Sequence, residues 1–245
     1  MRTDALTTTE DRTLAWDGCL NVRDLGGLPT ASGRPTARGA IARADNLDRL
    51  TREGWGALLD HGVRTVVDLR NAEEYKPLLP LPEGVELVRV PLDELAGPAW
   101  WRTHGRLDGT PLAFRPYLEH CPHAAAALVT AIADARPGGL VVHCGAGRDR
   151  TGLAALLLLA LAGVDRAAIA EDYLLSGPNI RPLYGMLGLP DPYRRIDAVL
   201  AEAGTTAEAA LEATLEGLDP TGYLLAAGVT PARIAAARSR LLPGA

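Results

Sequence analysis

Apolar positions along the chain fall into two lengths of run, one suited to strands and one to helices. Val63–Leu69 (VRTVVDL) is β-branched, apolar and of strand length, the pattern of a strand buried on both faces. Val85–Leu92 alternates and predicts another strand, and Gly39–Ala44 and Leu140–Cys144 predict two more. Helical segments lie between them. One spans Thr51–Gly62, with Thr51 as N-cap and Gly62 as C-cap. Another opens at Pro122 and stops at Pro137-Gly138-Gly139, and a third covers Thr151–Gly163. The proline-rich connector Lys76–Gly84 can continue neither neighbour. Asp93–Thr110 reads as irregular.

Beyond Gly163 the pattern predicts helices only, at 165–176, 192–204, 206–217 and 231–242. The stretch SGPNIRPLYGMLGLPDP (176–192), rich in glycine and proline, is a hinge candidate. Strands alternating with helices over the first two-thirds predict an α/β fold, a mainly parallel sheet flanked by helices with a helical C-terminal elaboration. The expectation is one domain over 1–245, with a core of about 15–176 and a helical lid or tail of about 177–245.

Composition narrows the function. The 245 residues are 47% hydrophobic with a net charge of −5, which is ordinary soluble globular composition. That acidity argues against a nucleic-acid partner, which needs a basic stripe, and against a polybasic membrane-surface site. The longest apolar run, Gly152–Val164, is shorter than the about 20 residues of a membrane-spanning helix. Lys76 is the lone lysine, so arginine is simply the chain's common cation. Cys19, Cys121 and Cys144 are odd in number and form no C-x-x-C pair, and the N-terminal MRTDALTTTEDRT has no apolar signal region. The expectation is a cytoplasmic protein without a disulfide framework.

The chemistry lies in HCGAGRDRTG, between the strand ending at His143 and the helix starting near Thr151. In an open α/β sheet ligands bind outside the carboxyl ends of the strands. A helix N-terminus there offers unpaired N–H groups and about half a positive charge, which suits an anion such as phosphate. Gly145, Ala146 and Gly147 are small, and the glycines allow the positive φ that curls successive N–H groups inward. Arg150 brings a planar fork for two phosphate oxygens, and Cys144 starts the curl in a field that favours the nucleophilic thiolate. No G-x-x-x-x-G-K-[ST] is present, and a dinucleotide fingerprint would place its third glycine on Arg150.

His143, Cys144, Gly147, Arg150, Thr151 and Gly152 together resemble the signature loop of protein tyrosine phosphatases. They are more similar to a bacterial branch whose loop reads His-Cys-x-Ala-Gly-Lys-Asp-Arg-Thr-Gly. NVRDLGG (Asn21–Gly27), VVDLRNAEE (Val66–Glu74) and AEDYLLS (Ala170–Ser176) resemble further signatures of that branch, in order, so the likeness spans roughly 20–176 and more weakly the tail. It implies a phosphatase-like fold and a phosphate-monoester hydrolase without metal or cofactor. Its partner would be a phosphorylated protein, with phosphotyrosine the default, or a small phosphate ester. Cys144 would carry a phosphocysteine, Arg150 would hold the phosphoryl oxygens, and Gly145, Ala146, Gly147, Arg148 and Thr151 would bind substrate. The branch's lysine, associated with multiply phosphorylated inositol lipids, is replaced here by Arg148, which keeps the charge as a bulkier fork and departs from that lipid-handling pattern. Phosphoinositides stay open because fold and loop do not fix the leaving group.

The leaving oxygen needs a proton. No Trp-Pro-Asp tripeptide exists; the resemblance favours Asp149 or Asp68 as the acid, and the order of preference is Asp149, Asp68, then Asp93. Asp68 competes with a plain pairing to Arg70. Thr151 reads as a helix cap that also bonds the sulfur, and His143 as a buried loop-positioner. Asn21, Arg23, Asp24 and Asp172 read as support for the sheet edge. Two other classes compete, a phosphate-binding pseudo-enzyme and a rhodanese-like sulfur carrier.

Overall fold

The computed structural model describes residues 12–243, so most of the polar N-terminal segment lies outside the described residues. Five strands form one sheet: β1 (Arg23–Asp24), β2 (Ile41–Ala44), β3 (Val63–Asp68), β4 (Glu86–Arg89) and β5 (Gly139–His143), in the order β1-β2-β5-β3-β4. Only β1 runs antiparallel; β2, β5, β3 and β4 are parallel. This is the mainly parallel sheet that the alternation implied. Its register fixes the site, because His143 pairs with Ala44 on one side and Asp68 on the other. Three strands therefore end in one row, and the loops that follow them meet at one edge of the sheet.

Side chains of successive strand residues face opposite ways. Leu140 and Val142 join a large cluster on one face, whereas Val141 joins a smaller one with Trp55, Leu58 and Val66 on the other. Helix α1 (Arg52–Asp60), capped by Thr51 Oγ1, covers the smaller cluster. The larger face carries α2 (Leu92–His104), α3 (Phe114–His120), α4 (Pro122–Asp134) and α5 (Asp149–Leu161). Helix α5 is buried along nearly its whole length, which explains why its sequence is apolar all round. Then come α6 (Arg166–Leu174), α7 (Ser176–Met186), α8 (Tyr193–Glu202), α9 (Ala207–Leu215), α10 (Pro220–Ala226) and α11 (Pro231–Leu241).

The tail is not one unit. Leu211, Leu215, Leu224, Ile234 and Leu241 of α9, α10 and α11 share the core cluster with Val67 and Val142, while α7 and α8 reach the strand-end edge. Two segments differ from expectation. Asp93–Thr110 is largely helical: α2 breaks at Gly97 (φ 73°), which relieves the conflict posed by Pro98 and lets a second helical piece bury Trp100. The hinge candidate is mostly helix α7, with Pro182 inside it, and only 187–192 is a true connection.

Candidate active site

The loop after β5 turns at Gly147, the one loop glycine with positive φ (67°). A Cβ there would come within 2.5 Å of the Ala44 carbonyl oxygen, so the position admits only glycine. Gly145, by contrast, keeps an ordinary φ. Three loop carbonyls are held from behind. The Asn46 N–H donates to Gly145 O at 3.2 Å, and Asn21 Nδ2 donates to Ala146 O and Gly147 O at 3.0 and 3.1 Å. Arg43 Nη2 donates to Gly147 O at 2.7 Å. Because each peptide is planar and trans, the N–H groups of Ala146, Gly147 and Arg148 face the opposite way, beside the free N–H groups of the first turn of α5. The result is a cup of amides.

Cys144 lies buried at that edge and lines a cleft of about 470 Å³. Gly145, Ala146, Arg148, Asp149 and Arg150 line it too, together with Asp93, Trp101, Leu183, Tyr184, Leu187 and Leu189. The Arg150 fork grips Glu74, Nη1 to Oε1 at 2.5 Å and Nη2 to Oε2 at 2.9 Å. Its Nη1 also lies 3.0 Å from Asp93 Oδ2. Burial opposes the Arg150 charge, but the bond to Glu74 and the nearby thiol and carboxyl groups raise its pKa. Burial pushes Asp93 up to about 6, and Asp108, Glu74 and Asp149 add to that against the pull of Arg150. The Arg150 bond holds Glu74 below the usual glutamate range.

The three candidate acids thus separate. Asp68 is buried and lies outside the cleft, taking Arg70 Nε at 2.9 Å and Nη2 at 2.8 Å, with His143 Nε2 at 3.6 Å. Asp149 lines the cleft, but both its oxygens accept from Arg148, at 2.9 and 3.0 Å. Asp93, lowest in the sequence order, is the one of these three that reaches the Arg150 fork, beside Glu74. Burial drives His143 down to about 4 against the pull of Asp68, so it stays neutral beneath the loop. Arg148 also donates to Gly109 O at 3.0 Å and stacks over Tyr193, which ties the loop to the start of α8. Thr151 caps nothing: α5 begins two residues earlier, and the buried Thr151 Oγ1 has no hydrogen-bond partner among the described residues.

Glu74 and Arg43 were not singled out in the sequence. For Glu74 a signal existed in the glutamate that follows Asp-Leu-Arg in the bacterial signature. Arg43 had none, because one arginine in an arginine-rich chain carries no pattern.

A buried cysteine, an amide cup and an arginine six residues on match the loop pattern of the cysteine-dependent phosphatases. The model of the tyrosine phosphatase family matches residues 14–243, and the chain belongs to that family. It is 27% identical to the triple specificity protein phosphatase PtpB of Mycobacterium tuberculosis, over 92% of this chain and 97% of that one. It is 33% identical to a tyrosine-protein phosphatase of Nostoc commune, over 56% of this chain and 48% of the relative. A protein of Cupriavidus necator that bears the tyrosine-protein phosphatase name provisionally is also 33% identical, over 66% and 62%. The matches thus span under two thirds of the length of two of these relatives.

Proposed function

We propose that the protein hydrolyses phosphate monoesters through a phosphocysteine on Cys144, with phosphotyrosine in proteins as its substrate. One observation carries the reading: Cys144, the amide cup, the Arg150 fork and a protonatable Asp93 converge on one cleft. The cup and Arg150 hold the phosphoryl oxygens, and Gly145, Ala146, Gly147 and Arg148 contribute the backbone of that cup. The Cys144 thiolate attacks phosphorus as the ester P–O bond breaks, and Asp93 gives its proton to the departing oxygen. Water then attacks phosphorus, Asp93 takes its proton, and the thiolate leaves with inorganic phosphate released.

Asp93 suits both halves of that cycle. A bound phosphate dianion draws Arg150 to itself and sets a second negative charge beside the carboxyl group, which favours its protonated form. Asp149, sequestered by Arg148, and Asp68, outside the cleft, serve the loop rather than the proton transfer. Trp101, Leu183, Tyr184, Leu187 and Leu189 give the mouth an apolar and aromatic wall suited to an aryl leaving group, and α7 with the 187–192 connection serves as its lid. A thiol nucleophile needs a reducing compartment, which fits the cytoplasm. Among the described residues no helix is long and apolar enough to cross a membrane.

The test is phosphate release from phosphotyrosine and phosphoserine peptides, phosphoinositides and nucleotides by wild type and Cys144→Ser. Fastest release from phosphotyrosine, abolished by the substitution, is the expected result. Equal turnover by both proteins rejects the covalent route. Consumption of thiosulfate with cyanide and no phosphate release would favour the sulfur carrier instead.

A further inference from the structure

We propose that Asn21 and Arg43 are positioning residues for the amide cup, turning and polarising its peptides from behind, and that Asp172 holds both of them in place. The proposal rests on the hydrolase reading for the identity of the anion. Its geometry is independent of that reading.

The relay begins at Asp172, buried on α6. Its Oδ1 accepts from Arg12 Nη1 and Arg23 Nε, each at 2.9 Å, and its Oδ2 accepts from Arg43 Nη1 at 2.6 Å. Burial opposes ionisation, yet the Arg23, Arg43 and Arg12 charges hold the Asp172 carboxyl far below the usual range. From Asp172 two arms run to the loop. In the first, Arg23 Nη1 donates to Asn21 Oδ1 at 2.7 Å. With Oδ1 fixed, the Asn21 amide must aim Nδ2 the other way, where it meets Ala146 O and Gly147 O. In the second arm, Arg43 spends Nη1 on Asp172 and Nη2 on Gly147 O.

The consequence for the cup follows from peptide planarity. Each carbonyl pulled back toward Asn21 or Arg43 turns its paired N–H, on Gly147 or Arg148, toward the cleft. A cationic donor on the Gly147 carbonyl also polarises that peptide, so its N–H becomes a stronger donor to an oxyanion. Among the described residues, the guanidinium groups of Arg12, Arg23 and Arg43 all turn to the Asp172 carboxylate, which sets more positive than negative charge behind the cup. A mere prop for the sheet edge needs no such surplus, because apolar residues of equal volume pack there at lower desolvation cost. The role therefore extends past edge support.

The experiment titrates tungstate into the intact protein by calorimetry, alongside melting curves and turnover of p-nitrophenyl phosphate. It compares wild type with Asn21→Ala, Asn21→Ser, Arg43→Lys and the control Arg12→Met. Arg12 shares Asp172 but bonds no loop carbonyl. The Asn21 variants should weaken tungstate by about tenfold or more and lower kcat/KM by a similar factor. Arg43→Lys should do the same, since an ammonium lacks the fork that spans Asp172 and Gly147 O. Arg12→Met should lower the melting temperature and keep wild-type tungstate affinity. Folded Asn21 variants that bind tungstate as wild type does overturn the proposal. So does an Arg12→Met loss as large as theirs, which would make the cluster a matter of stability alone. Tungstate binding that weakens in the Asn21 variants without turnover in any protein supports the proposal and contradicts the hydrolase reading.

Discussion

Asp93 Oδ2 lies 3.0 Å from Arg150 Nη1, which sets a carboxyl group of raised pKa against the guanidinium fork at the cleft. Asp93 comes from the first turn of α2 and Arg150 from that of α5, so only the tertiary fold makes them neighbours. With its pKa at about 6, Asp93 is substantially protonated in mildly acid solution, unlike an ordinary aspartate.

Asp93→Asn should lower kcat/KM, which reports transfer to the cysteine, by 10²- to 10⁴-fold on esters with poor leaving groups and much less on p-nitrophenyl phosphate, while kcat falls on both because hydrolysis of the phosphocysteine slows. In wild type the fall of kcat with rising pH should follow Asp93 as set in the bound complex, and the variant should lose that limb. A pH–rate profile on both substrates reads this. The sign for stability is opposite to that of a carboxylate whose pKa is depressed, because burial outweighs the Arg150 pairing here. A folded-state pKa raised from 3.8 to about 6 means the ionised group burdens the native state above pH 6, by roughly 3 kcal/mol. That burden is relieved as pH falls toward 3.8. Asp93→Asn should therefore raise the melting temperature at neutral pH.

Glu74 aims the Arg150 fork through two hydrogen bonds. Glu74→Ala should leave Arg150 present but misdirected and cost kcat/KM on the order of 10²-fold. Steady-state kinetics beside a melting curve separates this from unfolding, because Glu74 is partly exposed and its loss should change stability little.

Gly147→Ala forces a side chain onto positive φ and against Ala44 O. The protein should lose on the order of 1–3 kcal/mol and its oxyanion affinity together, as read by urea unfolding and tungstate titration. Gly145→Ala should be far milder in stability, since its Cβ would meet only side-chain atoms at 3.7 Å.

Asp172→Asn leaves three buried guanidinium groups without their shared carboxylate and should cost about 3–5 kcal/mol. Its folded-state pKa lies well below 3.8, so this stabilisation is complete above that value and is lost only as pH falls further. Wild type should accordingly keep this contribution in mild acid, which melting curves from pH 7 downward would show.

Much of this site could be read from the chain, because its parts are local. Val63–Asp68 announces itself by β-branching, and Cys144 to Arg150 lie within one turn whose spacing is itself the signal. What stayed hidden depends on contacts across the chain. Strand β1 has two residues and no period, α3 and α10 have seven each, and α2 is broken by a glycine–proline pair. The resemblance favours Asp149 or Asp68 as the acid, and the sequence does not reveal that Arg148 donates to both Asp149 oxygens. Asp68 ends a strand at the right edge, but its carboxylate turns to Arg70. Thr151 resembled a cap because the apolar run starts just after it, while α5 had already begun at Asp149.

The covalent step on Cys144 is tested most directly by acid quench. Asp93→Asn, mixed with p-nitrophenyl phosphate, should still phosphorylate the cysteine with this good leaving group and then stall at hydrolysis. Peptide mass spectrometry of the quenched protein should find one PO3 group on the Cys144 peptide, released slowly and absent when Cys144 is replaced by serine. Turnover that proceeds with that peptide unmodified at every quench time, and that survives Cys144→Ser, would contradict the account.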